Sequence, residues 1–154
     1  MSEARHLKRL ARVWNDEPVY FVTTCTAGRR PILSCPMAHE IIFDEFNNMA
    51  ARHGWAIGRY VVMPDHVHFF AKPIRGHSKP LSTALGKWKE WTSKRILKAQ
   101  ELAAPLWQPE FFDHLLRSEE SRSLKWNYIT ENPVRAKLVS KAEAWPYRGT
   151  IDFD

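Results

Sequence analysis

Apolar positions along this chain fall into blocks whose period switches between two and nearly four. Val19-Tyr-Phe-Val-Thr-Thr-Cys25 is β-branched and aromatic and predicts a strand, closed by Ala27-Gly28. Pro36 sits where a first helical residue tolerates proline, and Ala38, Ile42, Phe46, Met49 and Ala50 then recur at helical spacing up to Gly54. Trp55 to Met63 and His66 to Lys72 read as two strands joined at Pro64-Asp65, a pattern that predicts a hairpin. After a loop over Pro73 to Lys79, a long helix is expected to about Ala99. Leu81, Leu85, Trp88 and Thr92 line one of its faces, and Lys87, Glu90, Lys94 and Lys98 the other. Ala103-Ala104-Pro105 breaks it. A fourth strand is expected over Pro109 to Leu116, and Ser118 with Glu119 and Glu120 starts a last helix that runs to about Glu131 and is interrupted by Asn132-Pro133.

The order β-α-β-β-α-β-α is that of an α+β, ferredoxin-like (split βαβ) domain with one extra helix and a tail. It predicts a four-stranded antiparallel sheet with helices on one face and the other face free to bind. The 154 residues allow one domain at roughly 100–200 residues each, so residues 1–154 are taken as a unit. Within it, 1–16 form a basic N-terminal arm and 140–154 a C-terminal tail. With 44% hydrophobic and 26% charged residues the composition is globular, and no apolar run approaches the ~20 residues of a membrane helix. The charged N-terminus lacks the apolar stretch of a signal peptide, and two cysteines, Cys25 and Cys35, make no disulfide framework. The expectation is a soluble, cytoplasmic protein without a membrane partner.

A formal net charge of +6 adds attraction to polyanions. The cations cluster at Arg5–Arg12, at Arg29-Arg30, along Lys87, Lys89, Lys94, Arg95 and Lys98, and from Arg117 to Lys141. Trp88, Trp91, Trp126, Tyr128, Trp145 and Tyr147 lie among them. Cations for phosphates beside aromatic faces for bases suit a single-strand binding surface, although solvated helix faces over a tryptophan-rich core share that composition.

The sharpest chemistry lies in Met63-Pro-Asp-His-Val-His-Phe-Phe70. Residues two apart on a strand share a face, so His66, His68 and Phe70 point one way and Val67, Phe69 and Ala71 the other. The apolar trio suits the helix-covered side, which leaves both imidazoles on the open one, spaced to chelate a divalent ion. The same spacing fits two sheet histidines that ligate nothing. On the last helix Ser121, Lys125, Tyr128 and Asn132 fall on one polar face, with Trp126 and Ile129 turned to pack elsewhere. Asn132, directly before Pro133, fits equally a helix N-cap and a metal ligand.

Three motifs in order, "MPDHVHFF", "LWQPEFFDHLLRS" and "YITENPVRAKLV", resemble the single-tyrosine HUH transposases of the IS200-like superfamily. Within them the chain most resembles the branch associated with repetitive extragenic palindromes (REP). The resemblance spans roughly residues 17 to 148. It implies a ferredoxin-like sheet, Tyr128 as nucleophile, and His66, His68 and Asn132 as ligands of Mg²⁺ or Mn²⁺. It also implies single-stranded hairpin DNA as partner, cleaved through a 5′-phosphotyrosine with release of a 3′-hydroxyl. Monomer and homodimer both stay open, with the monomer favoured: insertion-sequence relatives act as dimers, while the REP branch is typically monomeric. The cations assigned to DNA are Arg29, Arg30, Lys87, Lys94, Arg122, Lys125 and Arg135. The branch's aromatic-Ser-Ser tail is replaced here by Trp145-Pro-Tyr147-Arg-Gly. For the phenol proton Asp65, Asp113, His114 and Lys125 all stand as acceptors. The competing function is a non-catalytic palindrome- or RNA-binding module, which four-stranded sheets of this topology also provide.

Overall fold

The computed structural model describes residues 18–154, so the basic arm expected over 1–16 lies outside the described residues. The elements are β1 (Val19–Cys25), α1 (Pro36–Asn47), α2 (Met49–His53), β2 (Trp55–Val62), β3 (His66–Pro73), α3 (Leu81–Gln100), β4 (Phe112–Leu116), α4 (Glu119–Thr130), α5 (Asn132–Arg135) and β5 (Arg148–Thr150). The strands form one antiparallel sheet in the order β4-β1-β3-β2-β5. The first four give the expected split βαβ arrangement; the fifth is an addition to it. None of the described helices is long and apolar enough to cross a membrane.

The sheet carries a core on each face. On one, Val22, Val67, Phe69 and Ala71 pack with Ile42 and Phe46 of α1 and with Leu85, Trp88 and Ile96 of α3. Phe46 stacks on Trp88 with ring centroids 5.1 Å apart. Gly54 ends α2 in the left-handed region at φ 73°, where a Cβ would lie 2.1 Å from the His77 carbonyl oxygen. On the other face Val19, Phe21, Val61, Met63, Phe70 and Leu116 meet Ile129 of α4 and Trp145. The histidine face is therefore half-covered rather than open. Trp126 and Ile129, at i and i+3, turn α4 onto it.

Two boundaries differ from the pattern-based expectation. The fourth strand starts at Phe112, not Pro109. The carbonyls of Gln108, Pro109 and Glu110 point at the Lys89 ammonium (2.9, 3.4 and 2.8 Å), so that stretch is satisfied by a side chain instead of a ladder. The 140–154 tail is built into the sheet. Trp145 Nε1 donates to the Val62 carbonyl at 3.0 Å, and β5 pairs Arg148–Thr150 with Val61–Arg59. Beyond it the Asp152 carboxylate accepts the Ile57 amide at 2.8 Å, and Phe153 lies over Gly58, where a Cβ would come within 2.7 Å of the ring.

Candidate active site

The β1–β3 register sets Thr23 opposite His68 and Cys25 opposite His66, so these four side chains share one face of the sheet. Each imidazole is held by its Nδ1. The His66 Nδ1 lies 2.8 Å from Asp65 Oδ1, and the His68 Nδ1 lies 2.8 Å from the Thr23 hydroxyl. The two rings approach edge to face with centroids 4.7 Å apart. Asp65 is braced in turn by Arg29, whose Nε donates to Oδ2 at 2.9 Å while its Nη1 reaches Cys25 Sγ at 2.9 Å. A carboxylate–imidazole pair of this kind fixes the ring and leaves Nε2 as the outward nitrogen.

Electrostatics keep both rings neutral. Burial lowers the His68 pKa to about 3, with His66, Lys125, Arg135 and Arg29 adding repulsion of a proton. Burial also lowers His66, against the pull of Asp65. For Asp65, burial alone would raise the carboxyl, but the hydrogen bonds from His66 and Arg29 together hold it below its ordinary value. Neutral imidazoles beside an ionised carboxylate are the protonation states that metal ligation requires.

Tyr128 projects from α4 with 63% of its surface exposed. The helix begins at a capping box in which Ser118 and Ser121 bond reciprocally. It meets the histidine rows through two cations. Lys125 Nζ stands 5.2 Å above the Phe21 ring, which stacks on His68 at 5.3 Å. The Arg135 guanidinium lies 4.0 Å over the Tyr128 ring, and its Nη2 donates to the Tyr128 carbonyl (2.7 Å) and to Asn132 Oδ1 (2.5 Å). Asn132 is thus the first residue of α5 and does not cap it; its side-chain oxygen is directed to Arg135. Of the two roles the sequence left open for Asn132, capping is not what the structure contains.

The seven expected DNA cations separate into groups. Arg29, Lys125 and Arg135 gather at the histidines and the tyrosine. Arg122, near Glu119, lines a cleft one turn earlier on α4 with Phe70 and Trp126. Arg30 instead ties down a loop by donating to the carbonyls of Ala103 (3.2 Å) and Pro105. Lys87 and Lys94 lie on α3, on the opposite layer, both paired with Glu90. Sequence reasoning missed Thr23 as partner of His68 and Arg29 as brace of Asp65. The adjacency Asp65-His66 was the available signal for the second; Thr23 needed the strand register. Among the described residues no three His, Cys, Asp or Glu side chains form a metal-sized group.

Comparison with known proteins adds a family. Residues 16–132 match the family model described as "Transposase IS200 like". A REP-associated tyrosine transposase of Escherichia coli K12 is 30% identical over 91 residues, covering 59% of this chain and 52% of that protein. An uncharacterised protein of Haemophilus influenzae is 19% identical over 151 residues, covering 79% and 83% of the two chains. The alignment with the E. coli relative thus spans about half of that protein's length. Among solved structures, a REP-associated tyrosine transposase bound to a REP hairpin superposes with a TM-score of 0.67 at 21% identity, over 87% of this chain and 76% of that one. A putative transposase from Deinococcus radiodurans gives 0.54 at 21% identity, over 72% and 87%. At this identity the two structures speak for the fold alone.

Proposed function

Because the chain belongs to the IS200-like transposases, a family of enzymes, we propose that it cuts and rejoins single-stranded DNA beside hairpins of the REP type. The Tyr128 phenol is the nucleophile, and His66, His68 and Asn132 hold a divalent cation, Mg²⁺ or Mn²⁺. The observation that carries this reading is the pair of neutral imidazoles, each anchored at Nδ1, beside the helix that bears an exposed tyrosine. The donor set fits the cation: two Nε2 atoms and an amide oxygen leave room for water and phosphate oxygens around a hard ion. When bound, such an ion offsets phosphate charge as bond order changes.

The chain's own residues account for the remaining steps. Arg29 holds Asp65, Asp65 orients His66, and Thr23 orients His68, so the two ligands are set before substrate arrives. Lys125 and Arg135 draw the scissile phosphate toward Tyr128. Tyr128 Oη then bonds to phosphorus as the bond from phosphorus to the 3′-oxygen breaks, leaving a 5′-phosphotyrosine and a free 3′-hydroxyl. The exposed phenol can pass its proton to water. Asp65, with one oxygen on His66 and the other on Arg29, is committed to orientation, which removes it from the groups considered as a base. For Asn132 Oδ1 to serve as a ligand, the Arg135 guanidinium must leave it, and an arriving phosphate is a stronger partner for that cation.

Incubation of the protein with a single-stranded hairpin oligonucleotide and Mn²⁺ is the direct test. A denaturation-resistant protein–DNA band supports the reading, and its absence with either metal and either strand polarity overturns it. The cations give a second expectation. Lys125→Gln should weaken hairpin binding and flatten its salt dependence by about 0.7–0.9 in log–log slope. The double substitution Lys87→Gln/Lys94→Gln, on the far layer, should leave both within error. Titration by fluorescence anisotropy between 50 and 200 mM salt checks both at once.

A further inference from the structure

Phe112 opens β4, which among the described residues is an edge strand with no strand paired to its outer side; the ring has 64% of its surface exposed and belongs to neither core of the described residues. The β4–β1 register puts it opposite Thr23, and the β1–β3 register puts Thr23 opposite His68. Phe112, Thr23 and His68 therefore form one row across the sheet on the same face. Two strand spacings, about 10 Å, separate the phenyl ring's strand from that of the metal-ligating imidazole. We infer that Phe112 is a stacking platform for an unpaired nucleobase of the strand that runs into the scissile phosphate, an inference that rests on the reading of Tyr128 and the histidines as a DNA-cleaving site.

Three features select that occupant. A large apolar ring left in water beside a catalytic centre gains most from a flat apolar partner, and every base offers one. The surroundings are cationic: Lys125 stands over Phe21, one row further along the same face, and Arg135 lies over Tyr128. These provide for the phosphates on either side of a stacked base. Bases inside a duplex stem are already stacked on their neighbours, so only single-stranded nucleotides flanking the hairpin present a free face to this ring. The next β4 residue on this face, His114, is also exposed and sits opposite Phe21, which extends the surface toward Lys125.

The test uses the full chain with Tyr128→Phe, so that nothing is cut, and a 12-nucleotide oligothymidylate carrying a central 2-aminopurine, whose fluorescence falls on stacking. The protein should quench the probe. Phe112→Ala and Phe112→Leu, the second keeping apolar bulk without a π-face, should each weaken binding about tenfold and lose most of the quench, while Phe112→Tyr stays within about twofold. Unchanged quench and affinity in Phe112→Ala, or full activity of Phe112→Leu as a platform, would overturn the inference. So would a dimer of the parent protein in sedimentation that becomes a monomer on Phe112→Ala with the quench intact, because the ring would then be an interface between copies. The adduct assay is scored separately. Quenching without any adduct in the wild type would leave the platform standing and remove the nucleophile assignment. An adduct with a Phe112-independent quench would do the reverse.

Discussion

Tyr128→Phe is expected to fold with the stability of the parent, to bind hairpin DNA, and to form no covalent adduct. The substitution removes one oxygen from a side chain that is 63% exposed, and the Arg135 guanidinium can still rest over a phenyl ring. Loss of cleavage should be complete within assay limits, since charge compensation at the phosphate cannot replace the attacking atom. Tyr20, Tyr60 and Tyr147 serve as controls. Tyr60 is buried with its hydroxyl on His39 at 2.8 Å and its phenol is raised far above the ordinary range by burial, so it has neither the access nor the ionisation of a nucleophile. A covalent band from the Tyr128→Phe protein would transfer the role to another tyrosine. A wild type that binds hairpins and never becomes attached would establish the binding-only function.

His66→Ala is expected to abolish cleavage and to weaken Mn²⁺ binding measured by the metal's own electron paramagnetic resonance signal, with hairpin affinity retained. Its structural cost should be small. The ring is partly exposed at the end of β3, and its removal forfeits one hydrogen bond to Asp65, worth about 1 kcal/mol, while Arg29 still satisfies that carboxylate. His68→Ala should be equally inactive and visibly less stable, because its ring is sandwiched against Phe21 and bonded to Thr23. The comparison separates ligation from packing. Equal Mn²⁺ binding in wild type and His66→Ala would remove the imidazole from the metal site whatever the activity.

Most of this architecture was legible from hydrophobic periodicity. The strands at Val19–Cys25, Trp55–Val62 and His66–Pro73 alternate or run apolar strongly enough to be placed within a residue or so, and Pro36 and Gly54 punctuate the helix region between the first two. The split of β3 into Val67, Phe69 and Ala71 against His66, His68 and Phe70 follows from pleat alone, and the two cores respect it. What escaped depends on contacts between distant segments. Arg148-Gly-Thr150 carries no strand signal of its own; it is a strand because β2 offers an edge and Trp145 is anchored to Val62. Pro109–Phe111 reads as extended, yet its neighbouring carbonyls are claimed by Lys89 from another helix. At the site, charge type was readable and charge placement was not. Arg30 and Arg29 are adjacent in sequence, but one secures a loop and the other orients Asp65. Asn132 before Pro133 has the pattern of a cap, and only the approach of Arg135 shows where its oxygen is directed.

The two faces of the sheet are held with unequal strength, and the proposed nucleophile is on the weaker one. Helix α3 buries Ala84, Leu85, Trp88, Thr92 and Ile96, and α1 buries Ala38, Ile41, Ile42, Glu45 and Phe46, whereas Ile129 is the buried residue of α4. A helix attached by so little apolar surface should detach at a free energy well below that of global unfolding. In native-state hydrogen exchange, amides of 119–130 should therefore exchange through a separate opening of lower cost while those of α3 wait for the whole sheet. Exchange of both helices with one common free energy would contradict this. The proposed nucleophile, Tyr128, then rides on an element that can lift from the histidines and settle again without disturbing the rest of the molecule, which is the freedom the proposed strand-transfer reaction would need to admit one DNA end and release another.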